Sequence, residues 1–200
     1  TILYGDQTYK TEPSGFDVSS ITGQTALTSP PDASSDDLVL SDGGVLKKTA
    51  FQYIYNRPAF HAYQSDALRG VSDDTITNMP ISTANELFDT DAAFNTTTKQ
   101  FVPQVAGKYF VYGAITSNTA WDYAATLTLV KNDSAAGVSA TQGRFADGGV
   151  NYQSVMISGI FDLDGSSDYV ECQIYQNSGH SRDTSNKGME NFWGAFRIPV

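Results

Sequence analysis

Two histidines are the only side chains of this chain whose ordinary pKa lies near neutral pH. His180 lies in the polar stretch NSGHSRDTSN, where Ser181 and Asp183 supply the other residue types of a hydrolase triad. Neighbouring residues of one loop cannot hold a nucleophile, a base and an orienting acid in line. The chain also has no Gly-x-Ser-x-Gly turn, and His61 lies in a separate strand-like run. We therefore predict that the protein is not an enzyme.

The acidic segment FDLDGSSD carries Asp162, Asp164 and Asp168 around a glycine, in the manner of a calcium loop. An EF-hand loop needs a carboxylate at its twelfth position, where this chain has Gln173, and its flanking segments are helices. The flanking segments here have strand-like patterns. We predict a turn between two strands, with no cofactor and no assigned metal ligands.

Cys172 is the only cysteine and has no partner within the chain for a disulfide. It shares one face of a strand-like run with Val170 and Ile174. This pattern favours a small buried core residue over a reactive thiol.

The net negative charge of the chain argues against nucleic acids and membranes as partners. The chain has 22 acidic and 12 basic residues and a formal net charge of −10. Such a surface repels phosphate backbones and anionic lipids, and no apolar run has the length of a membrane span. We expect neither nucleic-acid binding nor membrane insertion. A hydrophobic content of 40% over 200 residues is enough for one compact core and a modest appendage.

The elements that must position these residues are strands. Leu127 and Leu129 alternate with Thr126 and Thr128, as in a half-buried antiparallel strand. Glycine- and aspartate-containing turns separate many such runs, which indicates an all-β sandwich or jelly roll. The predicted strand regions are Ala59–Ser65, Thr75–Thr83, Lys99–Pro103, Lys108–Ser117, Ala124–Lys131, Tyr152–Leu163, Ser167–Gln176 and Gly188–Ile198.

Two of these strands are apolar on both faces, at Lys108–Ile115 and Asn191–Ile198. One face of a sandwich strand packs in the core and the other usually meets water, so a second apolar face predicts contact with another subunit. The predicted subunit interface consists of Tyr109, Val111, Phe110, Tyr112, Phe192, Trp193 and Phe196.

Residues 1–57 consist of short apolar pieces between turn signals, and no piece is long enough for a core of its own. The sequence from Asp37 to Lys48, with Asp-Gly-Gly at its centre, predicts a β-hairpin. We interpret the whole segment as an extended arm, and a flexible linker is the alternative. Its apolar residues Ile2, Leu3, Tyr4 and Phe16 are the predicted attachment points.

A set of ordered motifs resembles the globular head of the C1q/tumour-necrosis-factor family. The motifs are Phe88-Asp89, Phe94-Asn95, Phe101-x-Pro103, Gly107-x-Tyr109-Phe110, Leu127-x-Leu129-x-Lys131-Asn132, Ser167-Asp168-Tyr169-Val170 and Phe192-x-Gly194-x-Phe196. The resemblance covers residues 58–200 and implies a ten-strand jelly roll that forms a homotrimer. Some heads of this family bind calcium near the trimer apex, which leaves calcium binding open here. Unlike many animal members, the chain shows no collagen repeat ahead of the head.

Two shorter segments, Asp36–Lys48 and Arg57–Phe60, are similar to segments that precede C1q-like heads in structural proteins of tailed bacteriophages. This resemblance implies a virion structural protein, assembled in the host cytoplasm and displayed on the virion surface. Its expected partners are capsid or tail proteins, and its expected role is capsid decoration, a short head fibre or a tail-attached fibre.

The polar loop from Gln176 to Glu190 is the predicted recognition loop, through His180, Arg182 and Asp183. Loops held on a rigid sandwich often carry recognition, and these side chains suit contacts with a host-surface glycan or protein. A plain surface connection is the alternative for the loop. For the whole chain, the alternative function is a C1q-like lectin or receptor-binding protein of cellular origin.

Overall fold

The structure is a computed structural model of the 200-residue chain. It describes residues 2–3, 9–10, 36–42, 45–50, 57–64, 70–81, 85–121, 125–133, 140–144, 151–187 and 189–199. The chain divides into two compact units, Thr1–Gln52 and Tyr53–Val200. We call the second unit the head.

The first unit contains two small antiparallel sheets. One pairs β1 (Ile2–Leu3) with β2 (Tyr9–Lys10), and the other pairs β3 (Asp37–Asp42) with β4 (Val45–Ala50). Asp42 lies opposite Val45, which confirms the hairpin that the sequence predicts. Cross-strand ion pairs from Lys47 to Asp42 and from Lys48 to Asp37 support this pairing.

The head is built from short antiparallel strands. Its strands are β5 (Ala59–Tyr63), β6 (Gly70–Val71), β7 (Thr77–Asn78), β8 (Glu86–Asp89), β9 (Phe94–Asn95), β10 (Gln100–Phe101), β11 (Gly107–Thr116), β12 (Thr126–Lys131), β13 (Ala140–Arg144), β14 (Ser154–Leu163), β15 (Val170–Tyr175), β16 (Arg182–Asp183) and β17 (Phe192–Arg197). Each strand region that the sequence predicts overlaps one of these strands, and β11 begins one residue earlier than predicted, at Gly107.

Two sheets form the jelly-roll sandwich. The first sheet has five strands in the order β14-β11-β17-β5-β8. The second has six, in the order β13-β12-β15-β10-β9 with β7 also paired to β15. The all-β antiparallel prediction is thus confirmed, although the two sheets hold one strand more than the ten that the family resemblance implies. A separate two-residue pairing joins β16 to β6.

Aromatic side chains from both sheets fill the space between them. Phe60 stacks on Phe94 with ring centroids 4.5 Å apart, and Trp193 meets Phe60 edge-on at 4.7 Å. Phe101 contacts Tyr109 at 5.4 Å, and all five side chains are at most 5% exposed. Burying such rings is the main source of stability for a sandwich of this size.

The head has two distinct ends. β5 begins at Ala59, opposite Phe196 near the end of β17, and it finishes at Tyr63, opposite Phe192. We call the end of the head where β5 begins and β17 finishes the proximal end. The loops before β17 lie at the opposite, distal end. Among the described residues, no helix has the length and apolarity to cross a membrane.

Candidate functional site: an aromatic face on the first sheet

The outer surface of the first sheet is apolar because β11 alternates between two apolar sets of side chains. Tyr109, Val111 and Ile115 point into the sandwich and are 0% exposed, whereas Phe110 and Tyr112 point outward and are partly exposed. β11 is a central strand between β14 and β17, so the apolar outer side chains lie in the middle of the sheet.

This burial corrects part of the predicted subunit interface. Tyr109, Val111 and Trp193 are fully buried inside a single chain, so their side chains cannot contact another subunit. Alternation along β11 and β17 turns them toward the core. The other four predicted residues, Phe110, Tyr112, Phe192 and Phe196, do lie on the outer surface.

Antiparallel pairing arranges the outer side chains in rows across the strands. Phe196 lies opposite Phe110, which lies opposite Ile160, and the two phenylalanine ring centroids are 5.4 Å apart. Phe192 and Met156 lie in another row, on either side of Ala114 and four residues earlier in β17 and β14. Both rows therefore combine residues from three strands.

The row between them contains the one imidazole of the surface. Phe88 lies opposite His61, His61 opposite Gly194, and Gly194 opposite Tyr112. A Cβ atom on Gly194 would lie 2.6 Å from the Tyr112 Oη and 2.6 Å from the Phe60 carbonyl oxygen. Since Gly194 has no side chain, the phenol of Tyr112 reaches across β17 to within 2.9 Å of the His61 Nδ1.

We call this surface the aromatic face. It is defined by the outward side chains of His61, Phe88, Phe110, Tyr112, Met156, Ile160, Phe192 and Phe196. Met156 is 72% exposed, Ile160 64%, Phe88 46% and Phe196 39%. Neighbouring apolar side chains exposed to this degree are typical of a surface that another protein covers.

Polar pairs border the aromatic face at both ends of the sheet. The Lys108 Nζ lies 3.0 Å from the Asp162 carboxylate at the proximal end. The Thr116 and Ser154 hydroxyls lie 2.8 Å apart at the distal end. An apolar centre with a polar rim is the usual anatomy of a protein interface.

Burial within one chain already perturbs the two hydrogen-bonded groups of the aromatic face. Desolvation lowers the pKa of His61 and raises the pKa of Tyr112. Both shifts favour the neutral forms. The surface is therefore suited to packing against another apolar surface.

The outer surface of the second sheet is polar by contrast. Glu171 accepts hydrogen bonds of 3.0 Å from the side-chain amides of Asn78, Gln100 and Gln173. Glu171 is only 5% exposed, because these amides cover its carboxylate, and polar side chains thus occupy the outer side of this sheet. The apolar character of the aromatic face is therefore specific to the first sheet.

The predicted recognition loop is ordered by its own hydrogen bonds. His180 is exposed, whereas Arg182 and Asp183 are half-buried and form β16. The Arg182 Nε donates to the Ser178 Oγ at 2.8 Å, and the Asp183 carbonyl accepts a bond of 3.2 Å from the Trp121 indole. The three predicted residues share one loop, but only His180 stands open to solvent.

Other polar residues of this loop are buried. Gln176 is 0% exposed, and its Nε2 donates to the Val71 and His180 carbonyls at 3.0 and 2.9 Å. Thr184 is also fully buried and donates to the Gln64 Oε1 at 2.7 Å. The buried side chains of the loop therefore pack it into the distal end of the head.

The acidic segment after β14 is the turn that the sequence predicts. The Asp164 Oδ1 accepts the backbone N–H groups of Ser166, Ser167 and Asp168, each at 2.9 Å, and these bonds hold the pKa of Asp164 below its usual range. Asp168 is in turn paired with Lys131 at 2.6 Å. Across the described ranges, no three His, Cys, Asp or Glu side chains are grouped as metal ligands.

Two further sequence predictions concern single residues or short segments. Cys172 is 1% exposed, and burial raises the pKa of its thiol, which agrees with a structural core residue. Of the predicted attachment residues, Ile2 and Leu3 form β1, whereas Tyr4 and Phe16 lie outside the described residues.

The sequence analysis missed half of the aromatic face: His61, Phe88, Met156 and Ile160. For Met156 and Ile160 the signal was present, because they alternate with buried Val155, Ile157 and Phe161 along β14. Phe88 lies on an edge strand without a regular pattern. Its place beside His61 depends on strand pairing, which the local sequence does not encode.

Solved structures of low sequence identity share this fold. The globular domain of zebrafish complement 1qA protein matches with a TM-score of 0.50 and 16% identity, over 71% of this chain and 97% of that chain. Murine APRIL at pH 8.0 matches with a TM-score of 0.51 and 12% identity, over 70% and 98% of the two chains. Murine APRIL at pH 8.5 gives 0.50 and 13%, with the same coverage.

The head therefore has a C1q/TNF-like jelly-roll fold. No protein-family model matches the sequence, and no curated protein matches it. At these identities the structural likeness establishes the fold and leaves the function to be argued from the chain itself.

Proposed function

We propose that the head assembles as a homotrimer through its aromatic face and works as a non-enzymatic binding and display module. The observation that carries the proposal is the exposure of Met156, Ile160, Phe88 and Phe196 on one continuous surface. Covering such a surface removes apolar area from water, and this burial stabilises the assembly by about 25 cal/mol per Å². Three-fold assembly is the form that the family resemblance implies.

A charge on the aromatic face tests the proposed trimer. Light scattering of the full chain should give three times the chain mass of 21.6 kDa. Phe196→Asp should give a folded monomer, because covering an unpaired carboxylate costs on the order of several kcal/mol. Ile76→Asp is the matched control, since Ile76 is 58% exposed outside the aromatic face, and this variant should stay trimeric. A wild-type monomer at micromolar concentration would contradict the proposal.

We further propose that the protein is a structural component of a tailed-phage virion, anchored by the first unit to capsid or tail proteins. Its hairpin exposes Val39, Leu40 and Val45, which are 60%, 49% and 59% exposed. A two-stranded sheet is marginally stable alone and gains stability when its apolar side chains or open edges pack on a partner. Ile2, Leu3, Tyr4 and Phe16 are the further proposed contacts.

Host contact is proposed for the distal end of the head. The loop that carries exposed His180 lies at this end, opposite the end where β5 begins. A trimer would present three copies of the loop, so that weak contacts with a host-surface glycan or protein add through effective concentration. His180→Ala should reduce adsorption of trimers to host cells, and unchanged adsorption would remove this role from the loop.

A C1q-like lectin or receptor-binding protein of cellular origin is the second candidate. The likeness to zebrafish complement 1qA and murine APRIL supports it as much as it supports a virion protein. The sequence of the full gene distinguishes the two. A signal peptide or a collagen-like stretch upstream would favour the cellular candidate, whereas neighbouring genes for capsid or tail proteins would favour the virion.

A further inference from the structure

His61 lies in the middle of the aromatic face. Its ring centroid is 6.3 Å from that of Phe88, 5.8 Å from that of Tyr112 and 5.4 Å from that of Phe192. Its Nδ1 lies 2.9 Å from the Tyr112 Oη. Imidazole is the only ring on this surface that can gain a positive charge near neutral pH.

No carboxylate of β8 is placed to balance such a charge. Glu86 and Asp89 lie opposite Ala62 and Phe60, the two neighbours of His61 on β5. Ala62 and Phe60 are 0% exposed and point into the sandwich. The two acidic residues therefore belong to the inward-pointing positions of the sheet edge.

The remaining titratable groups of the outer surface are two phenols and one ion pair. Tyr112 on β11 and Tyr63 on β5 are phenols, and burial raises the pKa of Tyr112. Lys108 and Asp162 lie at the proximal end of the sheet, where they pair with each other at 3.0 Å. Arg197 of β17 lies on the inward-pointing side of its strand. None of these groups supplies a negative charge to an imidazolium.

We propose that the trimer is acid-labile, because protonation of His61 places an unbalanced positive charge in the covered aromatic face. This inference rests on the proposed trimer and describes the regulation of its interface. The two partner copies remove water from a ring that is already surrounded by aromatic side chains. Assembly is thereby coupled to the loss of a proton from His61.

The direction of the pH effect follows from linkage. Burial in the single chain lowers the pKa of His61 from its ordinary value of 6.5, and covering by partners lowers it further. The trimer then binds fewer protons than the separated chains, so association weakens as the pH falls. At about pH 5, the association constant is lower by at most about thirtyfold for each subunit that has to lose a proton.

Sedimentation of the full chain at about pH 8 and about pH 5 tests this coupling. The wild-type trimer should dissociate at the lower pH, with its circular dichroism unchanged. His61→Gln stays neutral while keeping a hydrogen-bonding group for Tyr112, and its association constant should be equal at the two pH values, whatever the substitution does to that constant. His61→Phe provides a second neutral ring in case the glutamine packs poorly. His180→Gln is the matched control and should keep the acid sensitivity, because His180 lies on the distal loop.

The outcomes separate this inference from the trimer itself. A wild-type trimer with equal association at both pH values would overturn the role of His61 and leave the trimer standing. Acid dissociation that persists in both His61 variants would assign the effect to another group and also overturn the inference. A monomer at about pH 8 would overturn the trimer and the inference together.

Discussion

Gly194 illustrates how the absence of a side chain shapes the aromatic face. Tyr112 crosses β17 at this position, and a methyl group there would meet the Tyr112 Oη and the Phe60 carbonyl oxygen, both at 2.6 Å. The tyrosine ring can rotate away, but the carbonyl oxygen belongs to a paired strand and cannot. The residue is thus selected by the close approach of its neighbours.

Gly194→Ala should therefore destabilise the head and displace Tyr112 from His61. Overpacking of this kind costs about 1–3 kcal/mol of unfolding free energy, which denaturant melts would measure. Gly70→Ala is the control, because its nearest neighbour is the movable Ser181 hydroxyl at 3.2 Å. Equal stabilities of the two variants would contradict the packing account of Gly194.

At the scale of elements, the strands of the head were predictable where alternation is regular. β11, β12 and β15 follow from their apolar periodicity. β8 and β13 could not be predicted in this way, because β8 has the irregular sequence ELFD and β13 has the polar sequence ATQGR. Such strands form because a neighbour offers hydrogen-bonding groups, and that information is tertiary.

The same limit explains the error in the predicted interface. Alternation separates Tyr109 and Val111 from Phe110 and Tyr112, but it does not say which set faces the second sheet. The choice is fixed when Tyr109 packs edge-on against Phe101 and its hydroxyl donates to the Val105 carbonyl at 2.6 Å. This buried environment also raises the pKa of Tyr109 to about 12.

The loop between β15 and β17 should lose order when Gln176 is replaced. Gln176→Ala leaves the Val71 and His180 carbonyls without the donor that reaches both of them at about 3 Å. Each carbonyl keeps a hydroxyl donor, Ser181 Oγ at 3.3 Å for Val71 and Ser178 Oγ at 3.2 Å for His180, so the loss is that of two amide hydrogen bonds, about 0.5–1.5 kcal/mol each. Thermal unfolding should therefore begin at a clearly lower temperature than in wild type. His180→Ala is the control and should change stability by less than about 0.5 kcal/mol, because its exposed side chain is replaced at the surface.

For the whole molecule, the division at Gln52 predicts that the head folds without the first unit. Every residue of the described hydrophobic core lies between Phe60 and Ala195. The strands of the first unit pair only with each other within the described ranges. A chain of residues 53–200 should then match the full chain in melting temperature within a few degrees and in trimeric mass.

The first unit, by contrast, should be needed for incorporation into particles. Its short strands cannot offset their own ordering entropy, about 1–2 kcal/mol per residue for the backbone alone, unless a partner surface covers them. Removal of residues 1–52 should abolish incorporation, and serine at Val39, Leu40 and Val45 together should reduce it while the trimer persists. Ile76→Ser in the head, which also removes an exposed apolar side chain, should incorporate normally. If residues 53–200 alone reached normal occupancy in purified particles, attachment would have to lie in the head, and its exposed distal loop would be the next surface to test.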